Sequence, residues 1–429
     1  MALTEAQLLM LDTLIYTDYC ENNDSVEMIL NKIEGAIQSG EKINACSMSN
    51  EEWLDLVQTI RGQDELLGYT VQEYVNNADT GMRAACFVDN AKNPKDVNVI
   101  FRGTQSDYEW HDNGEGAYTI ETDQQVAAAE YINKLPEEYG NSMTVSGHSK
   151  GGNKAQYVTI VTDRIGRCVS YDGQGFSQEF IDEYADEISQ NAYKITSISA
   201  EGDFVNCLLF SIAGTKKYID TDPQKNFLHN HKPNILLDQN GDLWTETDQA
   251  EYAKLINEYS IYAVSTLREP ERSWTVDGLI ALLEKSEGKE TALQTIYGIN
   301  RAAGLLDNFA VNYVLKRGKD FFVSTTGFGG TTIKVPVSSL QENASKMQSF
   351  AETNADVFDR LYNSLLCLKG SGEWQGTSLE AIVDATEKNR KKFEETIDEL
   401  QALATFLDKF VTEISQKDEE IKKQINSVG

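Results

Sequence analysis

The sequence holds only four histidines, His111, His148, His229 and His231, so any chemistry that needs an imidazole base must draw on one of these. Its six cysteines, Cys20, Cys46, Cys86, Cys168, Cys207 and Cys367, lie far apart and never in C-x-x-C spacing. That excludes a zinc or redox motif of the usual kind; they read as buried apolar side chains, with a Cys20–Cys46 bridge as the alternative. Positive charge is scarce, with 38 Lys and Arg against 68 Asp and Glu, a formal net charge of −30. Such a balance opposes association with nucleic acid and with anionic bilayers, and reads first as a solubility device. There is no run of about 20 apolar residues to span a membrane. Met1-Ala2-Leu3-Thr4-Glu5 has neither the basic nor the apolar region of a cleaved leader. The expectation is a chain made in the cytoplasm, exported, if at all, by a different kind of signal.

What the 429 residues do have, with 40% hydrophobic content, is material for two or three domains and a sizeable core. Apolar β-prone runs at 84–88, 97–101, 143–146, 168–171 and 194–199 read as strands, and 124–135 and 153–165 read as helices between them. This alternation predicts an α/β fold with a mixed or largely parallel sheet over 1–265. Residues 266–330 read as a helical connector or cap, closed by the glycine-rich hinge Gly327-Phe328-Gly329-Gly330. Beyond it, Leu340, Ala344, Met347, Ala351, Asn354, Phe358, Leu361 and Leu365 alternate spacings of four and three, a heptad seam. A second seam runs from Phe393 through Ile414 to Ile421 and Ile425, and the turn between them contains Gly370, Gly372, Trp374 and Gly376. The two predict an all-α antiparallel hairpin over 331–429 whose stripes leave apolar surface for partner helices. Asp418 interrupts the second seam on its apolar face, either as a solvated acid at a fraying end or as an element read by another protein.

The chemistry centres on Gly147-His148-Ser149-Lys150-Gly151-Gly152, which follows a strand and precedes a helix. Gly-x-Ser-x-Gly in that context describes a nucleophile elbow, where a strained turn exposes the serine and the glycines avoid collisions with the adjoining elements. A serine hydroxyl needs a histidine base and a carboxylate to orient it. His111 precedes the elbow, contrary to the Ser, Asp, His order of this fold, and His148 lies inside it. That leaves His229 and His231, of which His231 is preferred because Lys232-Pro233 suggests a rigid loop; the other would line the pocket. Asp203, in the loop after strand 194–199, is the expected acid, with Asp172 the runner-up whose more natural part is to shape the acyl pocket with nearby glycines. The backbone N–H of Lys150 and the N–H and hydroxyl of Thr104, at the end of strand 97–101, are the expected oxyanion donors. His229 and His231 lack a matching Cys, Glu or third His, so neither metal nor cofactor is expected.

These residues resemble a known family. Val99-Ile100-Phe101-Arg102-Gly103-Thr104, Asp107-Tyr108-Glu109-Trp110-His111-Asp112 and the elbow are similar to the class 3 lipases and related bacterial lipase-like α/β-hydrolases. The elbow with Asn153-Lys154-Ala155, and Tyr171-Asp172-Gly173-Gln174-Gly175-Phe176, resemble the bacterial branch most. Over 1–265 the resemblance implies Ser149 as nucleophile, Asp203 as acid, His231 as base and Thr104 with Lys150 as oxyanion donors. Lys150 departs from the leucine more usual there, which bears on pocket polarity. The last hundred residues resemble a second family, the WXG100-like hairpins of type VII secretion substrates. Trp374 and Gly376 stand at the bend, and Ile414, Asp418, Ile421 and Ile425 fit its export pattern. Together they look like reverse-oriented type VII lipase effectors of LXG-like build. That resemblance implies a secreted phospholipase-type enzyme acting on lipid esters at a membrane, small helical WXG100-like partners, a secretion ATPase and an immunity protein, with no nucleic acid. The alternatives are a soluble esterase or thioesterase, or a catalytically inert protein that acts through its hairpin.

Overall fold

Within Arg83–Asp89, Ala84, Cys86 and Val88 pack into one core while Ala85 and Phe87 pack into another, the period of two that a strand buried on both faces requires. The computed structural model describes residues 2–277, apart from 78, 93–94, 106–108, 222–228 and 274, together with Leu305 and Glu387. The chain divides into two compact units, Met1–Thr295 and Ile296–Gly429. The expected hinge at 327–330 and the hairpin residues Trp374, Gly376, Ile414, Asp418, Ile421 and Ile425 lie outside the described residues.

The strands are β1 (Thr70–Asn76), β2 (Arg83–Asp89), β3 (Asp96–Phe101), β4 (Met143–His148), β5 (Ile165–Tyr171), β6 (Ile195–Ala200), β7 (Thr215–Ile219) and β8 (Glu246–Thr247). They form one eight-stranded sheet in sequential order. β1, β2 and β3 pair antiparallel, β3 through β7 pair parallel, and β8 closes the far edge antiparallel. The sheet is therefore mixed, and the fold is α/β.

The helices are α1 (Glu5–Leu14), α2 (Val26–Gln38), α3 (Asn50–Arg61), α4 (Asp64–Leu67), α5 (Trp110–Glu115), α6 (Asp123–Lys134), α7 (Lys150–Val161), α8 (Gln178–Glu183), α9 (Ala185–Asn191) and α10 (Glu251–Thr266). Parallel strands added in one direction with right-handed crossovers place their linking helices on one face. Accordingly Ala128 and Ile132 of α6, Ala155 and Val158 of α7 and Phe180 of α8 share a core with Val99, Phe101 and Val145. The opposite face would be bare without the N-terminal helices. Leu8, Leu11 and Leu14 of α1, Ile29 and Ile33 of α2 and Trp53 and Val57 of α3 cover it, against Phe87, Ile100, Val169 and Ile198. Thr4 with Gln7, Ser49 with Glu52 and Thr122 with Gln125 form capping boxes that start α1, α3 and α6.

The expected helix at 153–165 begins and ends earlier. Ser149 is its N-cap, Thr162 is already extended, and Ile165 pairs with Met143 in the sheet. Among the described residues no helix is long and apolar enough to cross a membrane.

Candidate active site

Ser149 sits between β4 and α7 with φ 59° and ψ −129°, a positive-φ conformation that non-glycine residues rarely adopt. Its N–H donates to the Tyr171 carbonyl at 2.8 Å, which ties the turn to β5. A Cβ on Gly147 would meet the Gly151 carbonyl oxygen at 2.5 Å and that of Phe101 at 2.7 Å, so the spacing of glycines follows from how closely strand, turn and helix approach. Gly103 has the same constraint from the other side, because a Cβ there would stand 2.6 Å from the His148 carbonyl and 3.0 Å from Ser149 Cβ.

The turn presents the Ser149 hydroxyl to His231, whose Nε2 lies 2.8 Å from Oγ, and His231 Nδ1 lies 2.7 Å from Asp203 Oδ1. Asp203 is buried at the end of β6, and its other oxygen accepts the Asn206 N–H at 2.5 Å. An ionised carboxylate can only accept, so this contact places the imidazole proton on Nδ1 and leaves Nε2 to accept from the serine. The structure brings His231, not His229, to the serine. His229 is half-buried, and its carbonyl accepts the Lys232 N–H at 3.2 Å. His111 is exposed beside Glu115, 3.4 Å away.

The loop that carries His231 is held from the N-terminal layer. Lys232 Nζ lies 2.9 and 3.0 Å from the two oxygens of Glu52 on α3, and Asn234 Nδ2 lies 3.3 Å from one of them. Burial pushes the Glu52 carboxyl up, but the Ser49 N–H, the Lys232 ammonium and Asn234 outweigh it and hold it at about 2. Glu52→Gln keeps a capping acceptor and removes the charge. We expect kcat to fall by about tenfold with KM nearly unchanged, as a base displaced by a fraction of an ångström requires. Steady-state kinetics check this, and an unchanged kcat shows that the tether is dispensable.

Lys150 is the first residue of α7, where a backbone N–H has no intrahelical partner, and the Ser149 side chain makes no capping bond. Thr104 lines the same cleft as Ser149. Asn113 Nδ2 donates to Thr104 Oγ1 at 2.8 Å, which leaves the threonine hydroxyl hydrogen to donate elsewhere. The Lys150 side chain does not line the cleft. It is buried, with Nζ 2.8 Å from Asp112 Oδ2, so lysine at this position leaves the cleft's polarity untouched. Burial alone would raise Asp112, but Lys150, the Gln124 N–H and the Thr122 hydroxyl hold its carboxyl below the ordinary range.

One turn along α7, Lys154 is fully buried and donates to Gln124 Oε1 at 2.8 Å. Burial first, then the nearby Arg102 charge, push its ammonium down to about 7. A lysine whose folded pKa lies below its unfolded value of about 10.4 carries a stability penalty that is full below about pH 7 and fades as pH rises through the unfolded value. Lys154→Met is expected to stabilise the fold at pH 6 by on the order of a few kcal/mol, seen as a higher melting temperature, and to gain less at pH 9. Thermal melts at the two pH values test this, and an equal gain at both would refute it.

The cleft above Ser149 has a volume of about 430 Å³. It is lined by Thr104, Gln105, His148, Phe204 and His231, by Tyr16 and by the 42–48 loop between α2 and α3, whose Asn44 carbonyl accepts from Gln105 Nε2 at 3.5 Å. Cys46 and Ser47 in that loop each have φ 54°. Cys46 is half-buried, whereas Cys20, Cys86, Cys168 and Cys207 are buried as expected; all five are free thiols, and no Cys20–Cys46 bridge forms. Sequence reasoning missed Tyr16, the 42–48 loop, Asn113 and Phe204. Only Phe204, adjacent to Asp203, carried a local signal.

Asp172 does not line the cleft directly. It is fully buried beneath the cleft, with φ 47°, and accepts the Ala200 N–H at 2.9 Å. Burial and the neighbouring Asp203 carboxylate raise its pKa well above the usual range. Among the described residues His148, Asp172 and His231 form one group whose potential metal-ligating atoms lie within 4.8 Å of one another.

A family model described as Mbeg1-like matches residues 61–281. Among solved structures, the chain is similar to the native lipase–propeptide complex of Rhizomucor miehei, at 12% identity and a TM-score of 0.30, over 58% of this chain and 85% of that one. No curated protein sequence matches.

Proposed function

The chain belongs to the Mbeg1-like family, which is lipase-like, and from that membership and the Ser149–His231–Asp203 relay we propose that it is a serine acyl hydrolase acting on lipid esters. The relay, with successive contacts of 2.8 and 2.7 Å, carries the reading. His231 Nε2 takes the serine proton as Ser149 Oγ bonds to the ester carbonyl carbon, and the carbonyl π pair moves onto oxygen. Asp203 stabilises the imidazolium. The Lys150 N–H and Thr104 hold the oxyanion, each donor contributing about 3 kcal/mol to the transition state. As the tetrahedral centre collapses, His231 returns its proton to the leaving alcohol, and water then repeats the sequence to free the acid.

The cleft also favours a second reading. Lys42, Asn44, Ser47 and Gln105 give it a polar wall, which suits a soluble short-chain ester or thioester. Assaying the full chain on short and long acyl esters and on phospholipid vesicles decides between the two. Hydrolysis of the long and vesicle-borne substrates is the expected result; turnover confined to short soluble esters would assign the second.

The setting of this activity rests on the C-terminal sequence. With the heptad seams, the Trp374 and Gly376 bend and the Ile414, Asp418, Ile421 and Ile425 pattern, the hairpin is a type VII export signal that binds small WXG100-like partners. The enzyme is then a secreted effector whose producer needs an immunity protein. Deleting 331–429 should abolish export and spare hydrolysis. Continued secretion would remove the targeting role.

A further inference from the structure

A second polar chain lies behind the relay. The Tyr16 hydroxyl donates to the His148 backbone carbonyl at 3.2 Å and stands 3.0 Å from His148 Nδ1. A hydroxyl has one hydrogen, so an oxygen that spends it on the carbonyl can only accept from Nδ1–H. With the hydrogen on the carbonyl a lone pair is left on His148 Nε2, the arrangement in which an imidazole is oriented as a metal ligand by the hydrogen bond at its other nitrogen.

That lone pair faces Asp172 Oδ2 at 3.7 Å. Both side chains are almost wholly buried, and neither of the two facing atoms completes a hydrogen bond. The His231 backbone and the Ser199 hydroxyl are near enough to influence their ionisation. The His231 ring lies against that of His148, with centroids 4.8 Å apart. Two imidazoles and a carboxylate are a zinc donor set, and the 3.7 Å between His148 Nε2 and Asp172 Oδ2 falls within the span of two ligands about 2.0–2.1 Å from one ion, with the His231 ring closing on it to complete the set. The site lies at the cleft floor, which His148 and His231 both line.

We propose that His148, Asp172 and His231 form an inhibitory Zn²⁺ site. The ion takes a lone pair that the relay needs: bound to His231 Nε2 it displaces the Ser149 hydroxyl, and bound to Nδ1 it displaces Asp203. Asp172 binds as carboxylate, releasing to solvent any proton it carries. No electron transfer is involved. The inhibition rests on the acyl hydrolase reading, whereas the binding does not.

The test titrates the untagged full-length chain with Zn²⁺, by calorimetry and by hydrolysis of a soluble ester. Wild type should bind one equivalent and lose most of its activity, with recovery in EDTA. His148→Gln and Asp172→Asn should each need at least about tenfold more Zn²⁺ for binding and for inhibition, each measured against its own zinc-free rate. Tyr16→Phe should weaken binding by about tenfold through loss of the hydrogen bond that orients His148. No binding by wild type, or wild-type titration curves in both ligand variants, overturns the site. Where a ligand variant fails to fold, Co²⁺ added to wild type decides, since absence of tetrahedral d–d bands also overturns it. Zinc binding as described by a chain with no hydrolytic activity upholds the site and refutes the hydrolase reading.

Discussion

Ser149→Ala is expected to lower kcat for ester hydrolysis by about 10⁴- to 10⁶-fold while leaving the fold intact. The effect is large because the elbow concentrates several requirements at one atom. The Ser149 hydroxyl is the group held 2.8 Å from His231 Nε2, with Thr104 lining the same cleft and Lys150 following it at the start of α7. Cys46 and Ser47 share the cleft. Burial pushes the Cys46 thiol up, away from the reactive thiolate, and no imidazole activates Ser47 among the described contacts. Alanine fits the same turn, and what remains is the modest acceleration from binding and oxyanion stabilisation. The measurement is single-turnover hydrolysis by purified full-length protein. A variant within about tenfold of wild type would place the nucleophile elsewhere.

His231→Ala should come close to the same loss, because a serine without a base and an oxyanion intermediate without an imidazolium fail together rather than additively. His229→Ala should change kcat by no more than about threefold, since its ring touches neither Ser149 nor Asp203. Two residues of separation thus correspond to a difference of several orders of magnitude in rate. The comparison is independent of substrate identity, because both variants face the same ester. A reversed ranking would mean that the loop rearranges when substrate binds.

The juxtaposition of Ser149, Asp203 and His231 was legible in the sequence because its signals are local or ordered. Glycine spacing around Ser149 records a backbone collision, Asp203 follows a readable strand, and His231 comes last in the chain order. The central strands were readable to within three residues through their apolar runs. β1 was not, because a register shift between Gln72 and Val75, with Glu73 at φ 51°, breaks its alternation. β7 was hidden by Lys216 and Lys217 at the less buried end of a short strand. The 42–48 wall was invisible because nothing in its composition says that it folds over a serine a hundred residues away. The Glu52 tether was hidden for the same reason, since an ion pair with Lys232 across the fold leaves no mark in either segment.

The N-terminal layer that fills the otherwise bare face of the sheet has a consequence for how this lipase-like fold can diversify. Tyr16, the 42–48 wall and Glu52 all precede residue 61, where the match to the Mbeg1-like family begins, whereas Ser149, Asp203 and His231 fall inside it. One wall of the cleft and the Ser149–His231–Asp203 contacts are thus encoded in separate stretches. Exchange of the first sixty residues between relatives offers a route to a remodelled cleft with Ser149, Asp203 and His231 left in place.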